Sequence, residues 1–402
     1  MEYQPTLNIG CLGNVSDGKS TLVFALTNQK TQKHSSEQIR NISIKLGYAN
    51  CKIYLCKECK YPDNIYSTTS EIFDYQCPKC ENKTILVKHF SFVDCPGHND
   101  LLMTMLSSID ILDAGIFVIS ANDKLENKKQ LEEHLQITKI LPIKDYIVCL
   151  NKADLVNNEI LSFKHLQIKK KMEEYNLNPP IIPTCFNYGI NKEYLLHYLK
   201  DLPEIDKSND KLIIRITRSF DINKPGIRVS ELKGGVIGGS IISGSIKISD
   251  KIKIYPGYII DKNYYPLSGK VISLKSGNNN LTKAITGGLI AIGLDIDPNI
   301  TKNDNLIGHN IILEDDEIPK VFIAISLELT WINQREIKIN DYLYLSINSK
   351  NITGKVVKIM DNKLMLLLNT PTVLSDNLIP ISFKDNNYQI IAYGKFIAGK
   401  NI

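Results

Sequence analysis

The rhythm of hydrophobic and polar positions changes near residue 203. Before it, short apolar runs alternate with stretches of helical spacing. Residues 7–12, 88–93, 114–120 and 146–150 read as buried strands. Residues 21–26 begin a helix, and 101–111, 128–140 and 160–175 carry helical spacing. Strands and helices in alternation predict a mostly parallel sheet with helices on both faces. The polar stretch 202–211, which contains Pro203, reads as a linker. Beyond it the helical patterns stop. Residues 212–217, 245–248, 251–255 and 289–292 alternate or run apolar between Gly, Asn and Pro turns, the pattern of an antiparallel barrel. An acidic, Pro-bearing boundary at 315–319 precedes apolar runs at 321–329, 342–347, 355–360 and 364–368, which suggest a second barrel. The expected domains are 1–203, 204–316 and 317–402. Trp331, the lone tryptophan, reads as a core or rim aromatic.

At the end of the first strand stands Gly13-Asn14-Val15-Ser16-Asp17-Gly18-Lys19-Ser20-Thr21, of the form G-x-x-x-x-G-K-S followed by a helix. The glycines allow backbone angles that let consecutive N–H groups curl around a phosphate at the positive end of that helix. Lys19 is expected to reach the terminal phosphates and the Ser20 hydroxyl to ligate Mg²⁺. Asp94-Cys95-Pro96-Gly97-His98 follows the strand at 88–93. There Asp94 can hold Mg²⁺ through water, the Gly97 N–H can meet a γ-phosphate, and His98 can orient an attacking water. Asn151-Lys152-Ala153-Asp154 follows another buried strand. Its Asp carboxylate matches guanine N1 and N2, a donor pair that adenine lacks. A site built to hydrogen-bond its substrate discriminates by roughly 10⁴-fold. Three motifs in this order point to GTP/GDP and Mg²⁺, with His98, Lys19 and Asp94 as the catalytic group.

Composition narrows the setting. The 402 residues suffice for two or three domains, and 43% hydrophobic content is that of a globular chain. The net charge of +5 comes from the segments after residue 203, so a polyanion other than the nucleotide is expected there. No apolar run has transmembrane length and the first residues carry no signal-peptide pattern, so a cytoplasmic protein with no membrane partner is expected. Four of the nine cysteines form Cys56-x₂-Cys59 and Cys77-x₂-Cys80, separated by 17 residues, within an insertion at about 51–84. That spacing matches a four-thiolate Zn²⁺ site, and Lys57, Lys60 and Lys79 nearby favour thiolates. A transient redox pair is the competing reading. A closed site of this kind would brace the loop and do no chemistry.

Between the phosphate loop and the cysteines runs Arg40-Asn41-Ile42-Ser43-Ile44-Lys45-Leu46-Gly47-Tyr48-Ala49. It resembles the first switch of the gamma subunit of eukaryotic and archaeal translation initiation factor 2, where a Lys-Leu-Gly-Tyr-Ala run precedes a cysteine knuckle. The stretches from Arg218 to Gly226, from Leu232 to Ile241 and from Gly287 to Ile290 resemble that family too. The resemblance is dense to about residue 316 and in register beyond it. It implies a three-domain GTPase that binds methionyl initiator tRNA in its GTP state, delivers it to the small ribosomal subunit and releases it after hydrolysis at the start codon. It also implies alpha and beta subunits, a GTPase-activating protein and a nucleotide exchange factor as partners. It further implies Ser43 as a hydroxyl on Mg²⁺ and Cys185-Phe186 as the last base-binding loop. Four departures from the family pattern stand out: Asn14 for His, Ser43 for Thr, Cys185-Phe186 for Ser-Ala, and Asn99-Asp100 after His98. Two alternatives stand beside this reading. One is an elongation GTPase of the selenocysteine or Tu type, and the other is a GTP-binding scaffold with little hydrolysis.

Overall fold

The computed structural model describes residues 2–31, 47–95, 102–107, 109–123, 129–138, 143–204, 206–260, 263–317, 319–374, 378–385 and 387–402. The chain divides into two compact units. One is Met1–Met105 with Leu112–Ile205, and the other is Leu106–Ile111 with Asp206–Ile402.

In the first unit a seven-stranded sheet is built from β1 (Leu7–Leu12), β2 (Gly47–Leu55), β3 (Ile65–Thr69), β4 (Ile85–Asp94), β5 (Ala114–Ser120), β6 (Asp145–Asn151) and β7 (Ile181–Pro183). The order is β3-β2-β4-β1-β5-β6-β7. Strands β4, β1, β5, β6 and β7 run parallel, whereas β2 and β3 are antiparallel additions at one edge. The helices are α1 (Lys19–Thr27), α2 (Leu102–Leu106), α3 (Lys129–Thr138), α4 (Asn158–Glu173) and α5 (Lys192–Lys200). Successive strand residues point to opposite faces. Ile116 and Val118 of β5 join a core with Leu22, Leu26, Leu195 and Leu199 from α1 and α5. Phe117 and Ile119, on the opposite face, are equally buried, and Phe117 packs on Tyr146 at 5.6 Å between ring centroids. A sheet buried on both faces explains why these strands read as continuous apolar runs.

The stretch expected as an insertion, 51–84, is partly sheet. Cys51 to Leu55 pair with β4, and β3 pairs with β2. Lys52 hides the strand pattern. It is fully buried, with Nζ donating to the Ile72 carbonyl at 3.0 Å and lying 3.7 Å from the Phe73 ring centroid. Burial lowers its pKa, as the cost of desolvating an ammonium requires.

The second unit holds two closed six-stranded barrels. The first consists of β8 (Ile213–Phe220), β9 (Val236–Ser243), β11 (Lys251–Ile260), β12 (Asn263–Ser276), β15 (Ile290–Leu294) and β16 (Asn310–Leu313). The order β11-β16-β8-β9-β15-β12 is closed by β11 pairing with β12. Short strands β10 (Ser245–Lys247), β13 (Asn279–Leu281) and β14 (Lys283–Ile285) lie outside the ring. The second barrel runs β17 (Val321–Trp331), β20 (Lys363–Val373), β19 (Lys350–Met360), β18 (Tyr342–Ile347), β21 (Ile379–Lys384), β22 (Tyr388–Asn401) and back to β17. Each ring encloses its own aliphatic core. Fully burying one Ile or Leu contributes about 1.5–3 kcal/mol, so each barrel can stand on its own interior. Trp331 is half-buried against the second core. A small apolar cluster of Tyr255, Ile312, Val321 and Val373 joins the barrels.

Candidate functional site

Strand β1 ends at Leu12, directly before Gly13, and α1 begins at Lys19 directly after Gly18, so the phosphate-loop motif spans the strand-to-helix turn. Both glycines have φ in the left-handed region, +144° and +105°. Close approach also enforces them. A Cβ at Gly13 would lie 2.3 Å from the Val118 carbonyl oxygen, and one at Gly18 would lie 2.2 Å from Asn151 Nδ2. Gly18 caps α1 without a side-chain bond, which leaves the first N–H groups of the helix to serve an anion.

Inside the loop Lys19 is buried, and its ammonium donates to the carbonyls of Gly13 at 2.9 Å and Asn14 at 2.7 Å. Burial lowers its pKa, while the Asp94 and Asp17 carboxylates oppose the shift. Asp17 is fully buried and clamps the turn. Its carboxylate accepts the Asn14 N–H at 2.9 Å and the Ser120 N–H, from the end of β5, at 3.3 Å. Val15 is half-buried and Ser16 exposed, with φ +65°. Thr21 lies half-buried one turn into α1.

Asp94, the last residue of β4, lies beside Cys11 across the parallel β1–β4 pair. Its Oδ2 accepts from Ser20 Oγ at 2.7 Å and from Thr31 Oγ1 at 2.6 Å. Adjacent ligands of an octahedral Mg²⁺ with bonds of 2.0–2.1 Å sit about 2.9 Å apart. The Ser20 and Asp94 oxygens therefore fit neighbouring positions around such an ion. Thr31 belongs to no motif, and no sequence signal marks it. Gly97 and His98, like Asn99, Asp100 and Ser43, lie outside the described residues.

Asn151 ends β6 and joins the loops. Its Nδ2 donates to the Asp17 carbonyl at 2.8 Å, and its Oδ1 accepts the Phe186 N–H at 3.4 Å. Lys152 takes the left-handed conformation, φ +59°, and turns the chain into a short 3₁₀ helix, Ala153–Leu155, where Asp154 is exposed. The Ala153 N–H donates to the Thr184 carbonyl, next to Cys185. Burial first, then the neighbouring Asp154 carboxylate, push the Cys185 thiol up. The structure thus brings Asn151 and Asp154 of the N-K-x-D motif together with Cys185 and Phe186, the pair that the resemblance assigned.

The four cysteines also converge. Cys56 Sγ is 3.5 Å from Cys80 Sγ, and Cys59 Sγ is 3.6 Å from Cys77 Sγ and 3.7 Å from Cys80 Sγ. A tetrahedron with Zn–S bonds of 2.3 Å has edges of about 3.8 Å, so the sulfur spacing fits one zinc ion. Burial alone would push the Cys77 thiol up. The Tyr66 hydroxyl at 3.2 Å and the N–H groups of Lys79 and Cys80 outweigh it and bring the thiol to about 6. Cys59 is held at about 12, chiefly by its hydrogen bond to Cys77. The knuckle packs on α5 through Tyr61, whose ring centroid is 4.6 Å from that of His197, and His197 Nε2 donates to the Pro62 carbonyl at 3.2 Å.

The family model for the elongation factor Tu GTP binding domain matches residues 4–205. With that domain in front of two barrels, the chain is a translational GTPase, which works on GTP and Mg²⁺. Among curated proteins, the eukaryotic translation initiation factor 2 subunit gamma of Encephalitozoon cuniculi is 36% identical over 99% of this chain and 94% of its own length. The same subunit from Schizosaccharomyces pombe is 32% identical over 99% and 95%. The translation initiation factor 2 subunit gamma of Methanococcus vannielii is 35% identical over 97% and 98%. The chain belongs to this gamma-subunit family and acts in translation initiation. Among solved structures, a bacterial selenocysteine-specific elongation factor superposes with a TM-score of 0.74 at 19% identity, over 98% of this chain and 59% of the other. The elongation factor SelB of Methanococcus maripaludis, in complex with a GTP analogue, gives 0.71 at 18% identity, over 100% and 80%. At such identities they share the fold alone, and the elongation-factor alternative is not favoured.

Proposed function

We propose that the phosphate loop Gly13–Thr21, Gly97 and the base loops at Asn151, Lys152, Asp154, Cys185 and Phe186 bind GTP. In that state the chain would carry methionyl initiator tRNA to the small ribosomal subunit. The observation that carries the nucleotide assignment is the meeting of Ser20 Oγ and Asp94 Oδ2 at 2.7 Å beside Lys19. Ser20, Asp94 and Ser43 would hold Mg²⁺, which neutralises charge on the β- and γ-phosphates. Lys19 would leave its two carbonyl partners for the terminal phosphates. Asp154 would read guanine, and His98 would orient the attacking water through an interaction made mainly in the transition state. Cys56, Cys59, Cys77 and Cys80 would hold a structural Zn²⁺.

The domain limits of this reading are 1–203, 204–316 and 317–402. The tRNA, the alpha and beta subunits, a GTPase-activating protein and an exchange factor would be cytoplasmic partners, as the names of the relatives and the family pattern suggest. Ligand-dependent loops shift a population only through differential contacts, here with the γ-phosphate. The test is binding of initiator and elongator methionyl-tRNA with GTP analogue or GDP. Initiator tRNA should bind more tightly in the GTP-analogue state. Equal affinity in both nucleotide states would overturn the proposed carrier cycle.

A further inference from the structure

Between the two barrels of the second unit lies a cavity of about 630 Å³, within the size range of small-molecule sites. Its wall is mainly apolar, with Leu267, Ile300 and Leu306 on one side and Ile352 on the other. Two side chains in the lining differ in kind, His309 and Lys350. Lys350 opens β19, and its stem lies against Gly308, where a Cβ would come within 2.5 Å of it. Gly308 has φ +85°, so the turn and the lysine stem share space that a side chain would fill. Among the described residues no carboxylate lines the cavity. Burial lowers the Lys350 pKa, and no neighbouring charge is among the causes. His309 is 7% exposed, and its Nε2 donates to the Gly257 carbonyl at 2.7 Å. Burial first of all lowers its pKa and keeps the ring neutral. The Ile307 and Leu306 backbones also bond the ring, so His309 is held as part of the cavity wall.

We infer that this cavity binds a small organic monoanion with an apolar body, its acidic group against Lys350. A partly buried ammonium without a counter-charge costs free energy, and a single ligand anion offsets that cost. A neutral apolar ligand would leave the cation uncompensated, and a dianion would bury one charge too many. Because Leu267 belongs to β12 and Ile352 to β19, such a ligand would touch both barrels and fasten them together.

The aromatic sulfonate 8-anilinonaphthalene-1-sulfonate is a suitable probe, added to the full chain in excess GDP and Mg²⁺ so that the nucleotide loop is filled. Fluorescence titration should find about one site. Lys350→Met keeps the stem and removes the charge, and should weaken the probe about tenfold or more, the effect of one well-placed ion pair. Thr370→Trp, which fills the cavity from β20, should abolish binding. The neutral N-phenyl-1-naphthylamine should bind Lys350→Met at least as tightly as wild type. In the unmodified chain, methyl resonances of Ile300 and Ile352 should shift with the sulfonate, a readout independent of any variant's folding. Equal sulfonate affinity in Lys350→Met, or unmoved Ile300 and Ile352 methyls, would overturn the assignment.

Discussion

Asp154 is exposed in the middle of a 3₁₀ turn, beside Cys185. Asp154→Asn should weaken GTP at least tenfold and shift preference to xanthosine triphosphate, whose position 2 is an acceptor carbonyl, because the mutant amide can donate there. Competition binding with both nucleotides decides it, and unchanged selectivity would remove Asp154 from the role. At this scale the motifs were legible because chemistry restricts them tightly. Gly13, Gly18, Lys19 and Asp94 each occupy a position that few residue types can fill. Asp17 was readable only as one residue of the loop. Its clamp on the Ser120 N–H joins positions 103 residues apart, and no local pattern carries that information. Thr31 is silent for the same reason, since its partner Asp94 lies 63 residues away.

Among the elements, the parallel strands β1, β4, β5 and β6 were legible from their apolar runs, and β7, three residues long, and β2 were not. A lysine in the middle of β2 breaks the pattern, and the Ile72 carbonyl, the Phe73 ring and the Glu2 carboxylate make its burial tolerable. The cysteine knuckle shows the opposite balance, because two C-x-x-C pairs announce themselves wherever they fall. Protein purified without added metal should contain about one zinc per chain. Cys59→Ser should lower that content and raise amide exchange in α5, on which Tyr61 packs. Elemental analysis and hydrogen exchange measure the two effects. A full set of rapidly titrating thiols with no metal would sink the zinc assignment.

For the whole molecule, the division into two units has a thermal consequence. GDP with Mg²⁺ at one hundred times its dissociation constant stabilises the binding form by about 2.7 kcal/mol. For a unit of this size that corresponds to about 5–10 °C in midpoint. Calorimetry should show a transition that moves by this amount and a second that stays, the second belonging to the barrels. A single transition moving as one would mean that the units unfold cooperatively. The barrels themselves were legible as alternating strands between Gly and Asn turns. Their closure was not, because the pairing of β11 with β12 and of β17 with β22 is a matter of register over long separations.

The placement of Asn151 also bears on how this sequence can drift. Its amide occupies the space a side chain at Gly18 would need, and it bonds the backbone of Asp17, so positions more than 130 residues apart must change together or not at all. At residue 186 the contact with Asn151 is made by the backbone N–H, which any residue except proline supplies. That contact therefore leaves the side chain at 186 to answer to another constraint, its burial in the core under the sheet, while the glycine at 18 is locked by close approach to Asn151.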